Sequence, residues 1–532
     1  MPFPLHPSLP AGLWGGGLLL AALVIFSGWA AARGLGAMIA ATPGGGAVRR
    51  AAAGVAIGVF GARLVLANGR VSWAPYYDQW YSVIGGLLAP LAHGTLGWAQ
   101  FVAANNEHRI VLTRALDLGS VLLNGEWDNR VPVVVMFLLQ AMAAGWACAV
   151  SWSLLGWLRG TAVAFAVVLP AALVCDWENL VSGFQTQFGF LVLGSVVACS
   201  LLSGGPGRPI TTAAILAICA LLLGSMGSGL VTALVVGAVS FLSWRAGART
   251  GPFPVALVGG AAALFAAGWM IRPVFALVDL QAHGTADFLR ALLAYASWPL
   301  APHVVALLFL WAPWAVLALR AAAGRTVPTG FAFPLALGLW VLLQAAALAW
   351  SRAGLSGLVS SRYTEVLGWA LVANAFAFAL LVAPGVPGPW MRVARAGFPV
   401  WLLVVAGCEI TRSQETYRPY LESFRAQTRE QEERLGAFAR TGEDGPLTTV
   451  AFPHIPAPPE VLLPLLRDPP VRSLLAAPLR REFPSQAGAA VEAGPLSFLA
   501  VRALHGGAWM LGAGGLLLLS AALSGRSRSP AR

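Results

Sequence analysis

The amino-acid sequence predicts an all-α polytopic membrane protein of about thirteen transmembrane helices, two of them short, with surface helices in an outer loop and a small α-rich module outside the membrane. Three observations predict it. The 532 residues are 58% hydrophobic and only 11% charged, and mean hydropathy is +0.73. Apolar runs near the roughly 20 residues that span a bilayer recur along most of the chain. Arginines gather in alternate intervals between those runs, as the positive-inside rule requires.

Spans are read near 11–32, 51–69, 131–157, 160–175, 188–204, 211–223, 229–244, 254–272, 291–319, 330–350, 366–384, 396–410 and 506–524. No arginine or lysine precedes the first run and Arg33 follows it. It therefore reads as a span starting outside and not as a cleaved signal. The second run contains Arg63, which either snorkels to an interface or marks a misplaced boundary. The short pair 211–223 and 229–244 meets at a glycine-rich tip, Gly224 to Gly229. Glycine there allows a tight turn and close backbone approach.

Arg33, Arg49-Arg50, Arg159, Arg208, Arg245 with Arg249, Arg320 with Arg325, Arg392 with Arg395 and the tail Arg526, Arg528 and Arg532 mark the cytoplasmic intervals. The opposite side then carries 70–130, 176–187, 273–290, 351–365 and 411–505, with the N-terminus outside and the C-terminus inside. Three regions follow: a membrane domain over 1–410, an extracytoplasmic module over 411–505, and a last span with a basic tail over 506–532. The module begins as a charged helical stretch, Thr411 to Arg440, and then becomes proline-rich. With fewer than 100 residues it has a thin core and is expected to pack on the membrane part.

Net charge is +12, all of it from arginine set against fewer acids. The arginines stand singly or in pairs between spans, which excludes nucleic-acid binding as the reason for the charge. The five cysteines lie mostly inside apolar runs without metal-type spacing and read as packing residues.

Chemistry is expected on the outer side, because polar groups near a bilayer are costly to keep. In the first outer loop, Gln79 to His93 and Arg109 to Leu123 have helical apolar spacing and are expected on the membrane surface around a pocket. Asp78 lies among Tyr76, Tyr77 and Trp80. Aromatic neighbours desolvate a carboxyl and raise its pKa toward that of a working base; a solvated loop acid or helix cap is the plainer reading. Asn105-Asn106-Glu107-His108-Arg109 is the densest polar cluster, readable as a site or as helix-start chemistry. One histidine and one acid fall short of a zinc site. In the second outer interval Asp176 or Glu178 supplies a second carboxylate. Gln185 and Gln187 suit sugar hydroxyls, and Trp177 or Phe184 suits a sugar face. In the fourth, Arg362, with Ser361, Tyr363 and Thr364 beside it, suits a lipid phosphate better than Arg352 does.

Together, Tyr77-Asp78-Gln79-Trp80, Asn106-Glu107-His108-Arg109, Trp177-Glu178-Asn179 with Phe184-Gln185, and Ser361-Arg362-Tyr363 resemble the GT-C superfamily of membrane glycosyltransferases. The likeness is to bacterial enzymes that use polyprenyl-phosphate sugars, and it covers most of 51–384. Two features depart from the family pattern: an additional apolar segment precedes the acidic loop, and Gln79 stands where many members have a paired acid.

The resemblance implies a bacterial inner-membrane enzyme with its site on the extracytoplasmic face. It would move a sugar from a polyprenyl-phosphate donor to a glycan or lipid acceptor. Asp78, Glu107 and Glu178 would be its catalytic carboxylates; His108, Arg109, Trp177, Gln185, Arg362 and Tyr363 would bind substrate. No cofactor is expected, a divalent metal being possible but not required. The rival readings are a transporter or lipid-linked-sugar flippase, which mid-membrane charges and internal repeats would favour, whereas the ionisable residues here cluster at outer span ends and no repeat is seen; a glycan polymerase or ligase; and a non-catalytic scaffold.

Overall fold

A computed structural model describes residues 11–204, 209–247, 251–274, 278–323, 330–354, 359–383, 391–484 and 491–526. Among the described residues the chain is all-helical, with no strand and two isolated bridges. Eleven helices among the described residues are long and apolar enough to cross a membrane: Gly15–Ala40, Gly45–Ala67, Arg130–Leu155, Gly183–Leu201, Gly227–Arg245, Pro252–Ile271, Val304–Ala322, Ala332–Ser351, Ser361–Leu381, Arg392–Thr441 and Pro495–Ser524. Trp157–Ala171 and Pro209–Leu222 coincide with two further expected spans. At 1.5 Å per residue each is only about 22 Å long, so length does not fix the number of crossings.

Four local expectations are corrected. The run 291–319 is two helices, Thr285–Ser297 and Val304–Ala322. Pro299 and Pro302 lack the N–H groups a helix needs there, and the His303 side chain caps the second helix by accepting from the Val305 N–H at 3.2 Å. Arg33 lies inside the Ala11–Ala40 helix, its guanidinium over the Trp29 ring. The boundary at 411 falls inside one continuous helical rod, because Met391–Thr411 passes through a wider turn at Arg412–Tyr417 into Arg418–Thr441.

The fourth correction concerns the loop 70–130. Its helices Trp80–Leu88 and Val111–Asn124 do not lie as bare surface helices. Trp80, Ile84, Leu87 and Leu88 are fully buried against Leu435, Phe438, Leu462, Leu466 and Leu475 of the C-terminal segment. Each such side chain contributes on the order of 2 kcal/mol of apolar burial. Neither piece has enough core of its own, and together they build one, separate from the core of the helix bundle. Glu126 fastens the two: its carboxylate accepts from Ala477 N, Arg480 Nη2 and Gly494 N at 2.6, 2.7 and 2.9 Å.

The most extensive helix pairing joins Gly45–Ala67 to Pro495–Arg526. Gly54 and Gly61 on one helix meet Gly514 and Gly507 on the other, so the two run antiparallel. A Cβ on Gly61 would lie 2.3 Å from the Leu511 nitrogen, and one on Gly514 would lie 2.5 Å from the Gly58 nitrogen. Backbone-to-backbone approach of this kind requires glycine, and small residues serve it widely between membrane helices.

Candidate functional site

The turn 76–80 is built by its own polar side chains. The Gln79 carbonyl accepts from Tyr76 N at 2.8 Å, and its amide donates to Asn129 Oδ1 at 2.9 Å. Asn129 in turn donates to the carbonyls of Ser72 and Val181 and accepts from Gly183 N. One buried asparagine thus ties the acidic turn to the second polar interval. The residue standing where the resemblance would place a second acid is therefore a clamp. Tyr77 has φ 39°, a left-handed conformation costly for a bulky side chain. Its N–H donates to Pro456 O at 2.8 Å.

This turn presents Asp78 half-buried. Among the described residues its carboxylate makes no hydrogen bond or ion pair. Burial raises its pKa above the ordinary carboxylate value; the Arg362 charge opposes that rise, and Glu178 and Glu107 add to it. Neighbouring Tyr76 is pushed up to about 12, by burial first and by Glu178 second. Asp78, Glu178, Glu107 and Arg362 thus share one electrostatic neighbourhood, although they come from three intervals of the sequence.

Glu178 is committed to its neighbours. Its Oε2 accepts from Ser360 Oγ, Ser361 Oγ and Arg362 N at 2.9, 2.6 and 3.2 Å. Its Oε1 lies 3.3 Å from Arg362 Nη2. Asn179 adds a hydrogen bond to Arg362 O at 3.1 Å. The arrangement anchors the start of the Ser361–Leu381 helix and aims the partly exposed guanidinium of Arg362, whose Nε also donates to Ser360 Oγ at 3.2 Å. Trp177 leans on Phe424, with centroids 5.3 Å apart.

Glu107 pairs with Arg352 and lies 3.6 Å from His108 Nε2. Its second oxygen is buried without a hydrogen-bond partner among the described residues. His108 accepts the Gly227 N–H at Nδ1, 3.1 Å away, so a neutral ring carries its proton on Nε2, toward Glu107. Burial lowers the His108 pKa, and Arg352 and Arg362 act in the same sense against the Glu107 charge. The glycine-rich tip therefore holds the imidazole, and Cβ atoms there would strike Glu107 O at 2.6 Å.

The remaining expected residues have other positions. Arg109 is tied to the carbonyls of Ile271 and Val102 at 2.9 and 2.7 Å and fastens the loop to the Pro252–Ile271 helix. Tyr363 is buried, its hydroxyl accepting from Arg352 Nε at 3.1 Å. Gln185 is buried in the turn before the Thr186–Leu201 helix, and among the described residues no hydrogen bond joins it to the carboxylates.

Sequence reasoning missed a second polar group. Arg63 is 1% exposed. It donates to Gln140 Oε1 at 2.8 Å and Leu173 O at 3.2 Å, and it pairs with Asp176. Neither snorkelling nor a wrong boundary explains it: it is a buried ion pair. Asp176, Glu365 and Glu409 line the same small cavity of about 50 Å³. Arg63, Glu365 and Glu409 all lie near the helix ends that adjoin the Asp78 turn, and Asn179 links the two groups by donating to Glu365 Oε2 at 2.7 Å. The signal available was the arginine inside an apolar run, which demands an acid partner.

Among the described residues no group of three or more histidine, cysteine and acidic side chains is placed to hold a metal ion. The cysteines are free, four of them buried and Cys408 partly so. What the arrangement offers is a half-buried carboxylate, unpaired among the described residues, beside a braced guanidinium, at the junction of a membrane-type bundle and a second folded body. No family model matches this chain, and no curated protein matches it in sequence.

Proposed function

We propose that this protein is a membrane glycosyltransferase, similar in plan to the GT-C superfamily, that moves a sugar from a polyprenyl-phosphate donor to an extracytoplasmic glycan or lipid acceptor. The observation that carries the reading is Asp78: a half-buried carboxylate with no partner among the described residues, beside Arg362. In this reading an acceptor hydroxyl loses its proton to Asp78 as its oxygen bonds to the anomeric carbon. The bond from that carbon to the phosphate oxygen breaks, and its electron pair leaves on the phosphate. Arg362 meets that developing charge with planar N–H donors. Glu178 holds Arg362 in place and is not the proton acceptor, since its oxygens are already occupied. Glu107 and His108 support the same turn of charge through Arg352.

The test is turnover of a panel of polyprenyl-phosphate hexoses and pentoses by the purified protein in liposomes containing host membrane lipid. Asp78→Asn is expected to remove at least a hundredfold of the rate, the usual scale of general-base catalysis. Turnover at the wild-type rate in that variant would take Asp78 out of the role.

The reading includes thirteen crossings, an outer N-terminus and a bacterial inner membrane. The alternation of arginine intervals supports it. In intact cells, Glu443→Cys is expected to react with a membrane-impermeant maleimide and Arg245→Cys only after permeabilisation. The reverse pattern would put the site on the wrong face.

One observation favours a transporter as a second reading: the group Arg63, Asp176, Glu365 and Glu409 lies inside the bundle, where transporters keep their ionisable residues. Substrate uptake into proteoliposomes that survives Asp78→Asn and fails in Glu409→Gln would favour it over glycosyl transfer.

A further inference from the structure

Three large rings stand exposed beside Asp78. Tyr77, Tyr81 and Phe452 keep 41, 44 and 40% of their surface accessible. Tyr77 links the others, its centroid 4.9 Å from Phe452 at 43° and 6.0 Å from Tyr81 at 67°. Adjacent Tyr76 is less exposed and packs between two rings, its centroid 4.9 Å from Phe424 and 6.0 Å from Phe452.

The rings are held there by construction. Tyr77 takes its left-handed backbone conformation against the hydrogen bond to Pro456. Buried Gln431 donates to Pro453 O at 2.6 Å, and Ile455 and Ala457 are fully buried on either side of Pro456. Tyr77 thus keeps its exposed position at the cost of backbone strain, of the kind that clusters at functional sites, and Phe452 is carried by the segment these contacts fix.

The surroundings are polar. Exposed His454 pairs with Glu430 at 2.8 Å two residues from Phe452, and the charges of Glu460 and Asp78 act on the Tyr81 hydroxyl. An acyl or prenyl chain would have to cross these charges. A sugar ring would not: its axial C–H face is attracted to the electron-rich faces of aromatic rings, and its hydroxyls find phenols and carboxylates at the rim.

We infer that Tyr77, Tyr81 and Phe452 form the acceptor subsite, a platform for a pyranose ring of a glycan, with Phe452 supplied by the C-terminal segment. The inference rests on the glycosyltransferase reading for its direction, since the platform delivers the acceptor hydroxyl to Asp78. It assigns a role to the segment 411–505 that sealing a pocket would not explain.

The test is ligand-observed saturation-transfer NMR on the full-length protein, in a detergent with neither sugar nor choline headgroup, using maltohexaose and mannohexaose as probes. Saturation transfer to one or both is expected in the wild type. It is expected to fall at least fivefold in Phe452→Leu, which keeps apolar bulk but loses the ring, and to persist in Phe452→Tyr. Tyr81→Leu serves as a second variant whose ring contacts Tyr77 alone among the three, and the same fall is expected there. Asp78→Asn is expected to bind the probes as wild type does while losing turnover. Normal turnover in that variant with intact sugar binding would end the base assignment and leave the platform standing. Absence of transfer from the wild type to both sugars, or unchanged transfer in Phe452→Leu and Tyr81→Leu, would overturn the platform.

Discussion

Replacing Arg63 by methionine tests how the bundle tolerates charge. The guanidinium is 1% exposed and, among the described residues, is the only cation lining a cavity that also holds three carboxyls. The substitution deletes the pair with Asp176 and the hydrogen bonds to Gln140 and Leu173. Hydrogen bonds to charged groups are worth about 1.5–3 kcal/mol each, but most of that is recovered from solvation in any reference state. The larger loss is the stranded carboxylate, and breaking a buried pair from one side costs about 3–5 kcal/mol. Asp176→Asn should cost less, about 1–3 kcal/mol, because Gln140 and the Leu173 carbonyl still serve the guanidinium. In the double variant neither charge remains, so the penalty should fall short of the sum by about 2–3 kcal/mol. The assay is SDS-titrated unfolding in bicelles followed by tryptophan fluorescence, on wild type, both singles and the double. Strict additivity, or an Arg63→Met protein within about 0.5 kcal/mol of wild type, would refute the pair as a structural element.

Three further outcomes are expected. In the proposed reaction Asp78 can take a proton only when ionised, so turnover should fall as pH drops through its raised pKa; in Arg362→Gln the opposing cation is gone, and the acid limb of residual kcat/KM should move to higher pH. Burial lifts Asp117 to about 7 against the hydrogen bond from Trp127. The folded state therefore holds a proton the unfolded chain has released above about 4, so stability should decline between about pH 4 and 7 by a few kcal/mol and then level off. Thermal unfolding at pH 5 and 7.5 should show that decline in wild type and its loss in Asp117→Asn. Gly61→Val should force apart the Gly45–Ala67 and Pro495–Arg526 helices, costing at least about 1–3 kcal/mol of overpacking, whereas Gly58→Ala, with nothing within 4 Å of an added Cβ, should leave melting unchanged.

The hydrophobic runs were legible because a bilayer span demands one composition for about 20 residues; the expected spans therefore fall on helices, with the errors where local chemistry overrides composition. Pro299 and Pro302 break a run that stays apolar throughout, and the charged stretch after Thr411 continues the preceding helix because nothing in Arg412 to Tyr417 stops one. At the candidate site, Asp78, Glu107, Glu178 and Arg362 were each visible as polar groups in apolar surroundings. Their division of labour was not, because it depends on partners far apart in the chain. Glu178 becomes a brace only when the 360–362 turn arrives beside it, and Gln79 becomes a clamp only through Asn129. The partnership of the first loop with the C-terminal segment was equally hidden, since apolar spacing gives a helix its buried face without naming what covers it.

The glycine seam between Gly45–Ala67 and Pro495–Arg526 has a bearing on biogenesis. Two strips made hundreds of residues apart must find each other in the membrane, so the second helix waits for its mate until the ribosome has translated past residue 514. Any interrupted nascent product that lacks the last helix would leave the notch at Gly54 and Gly61 unfilled.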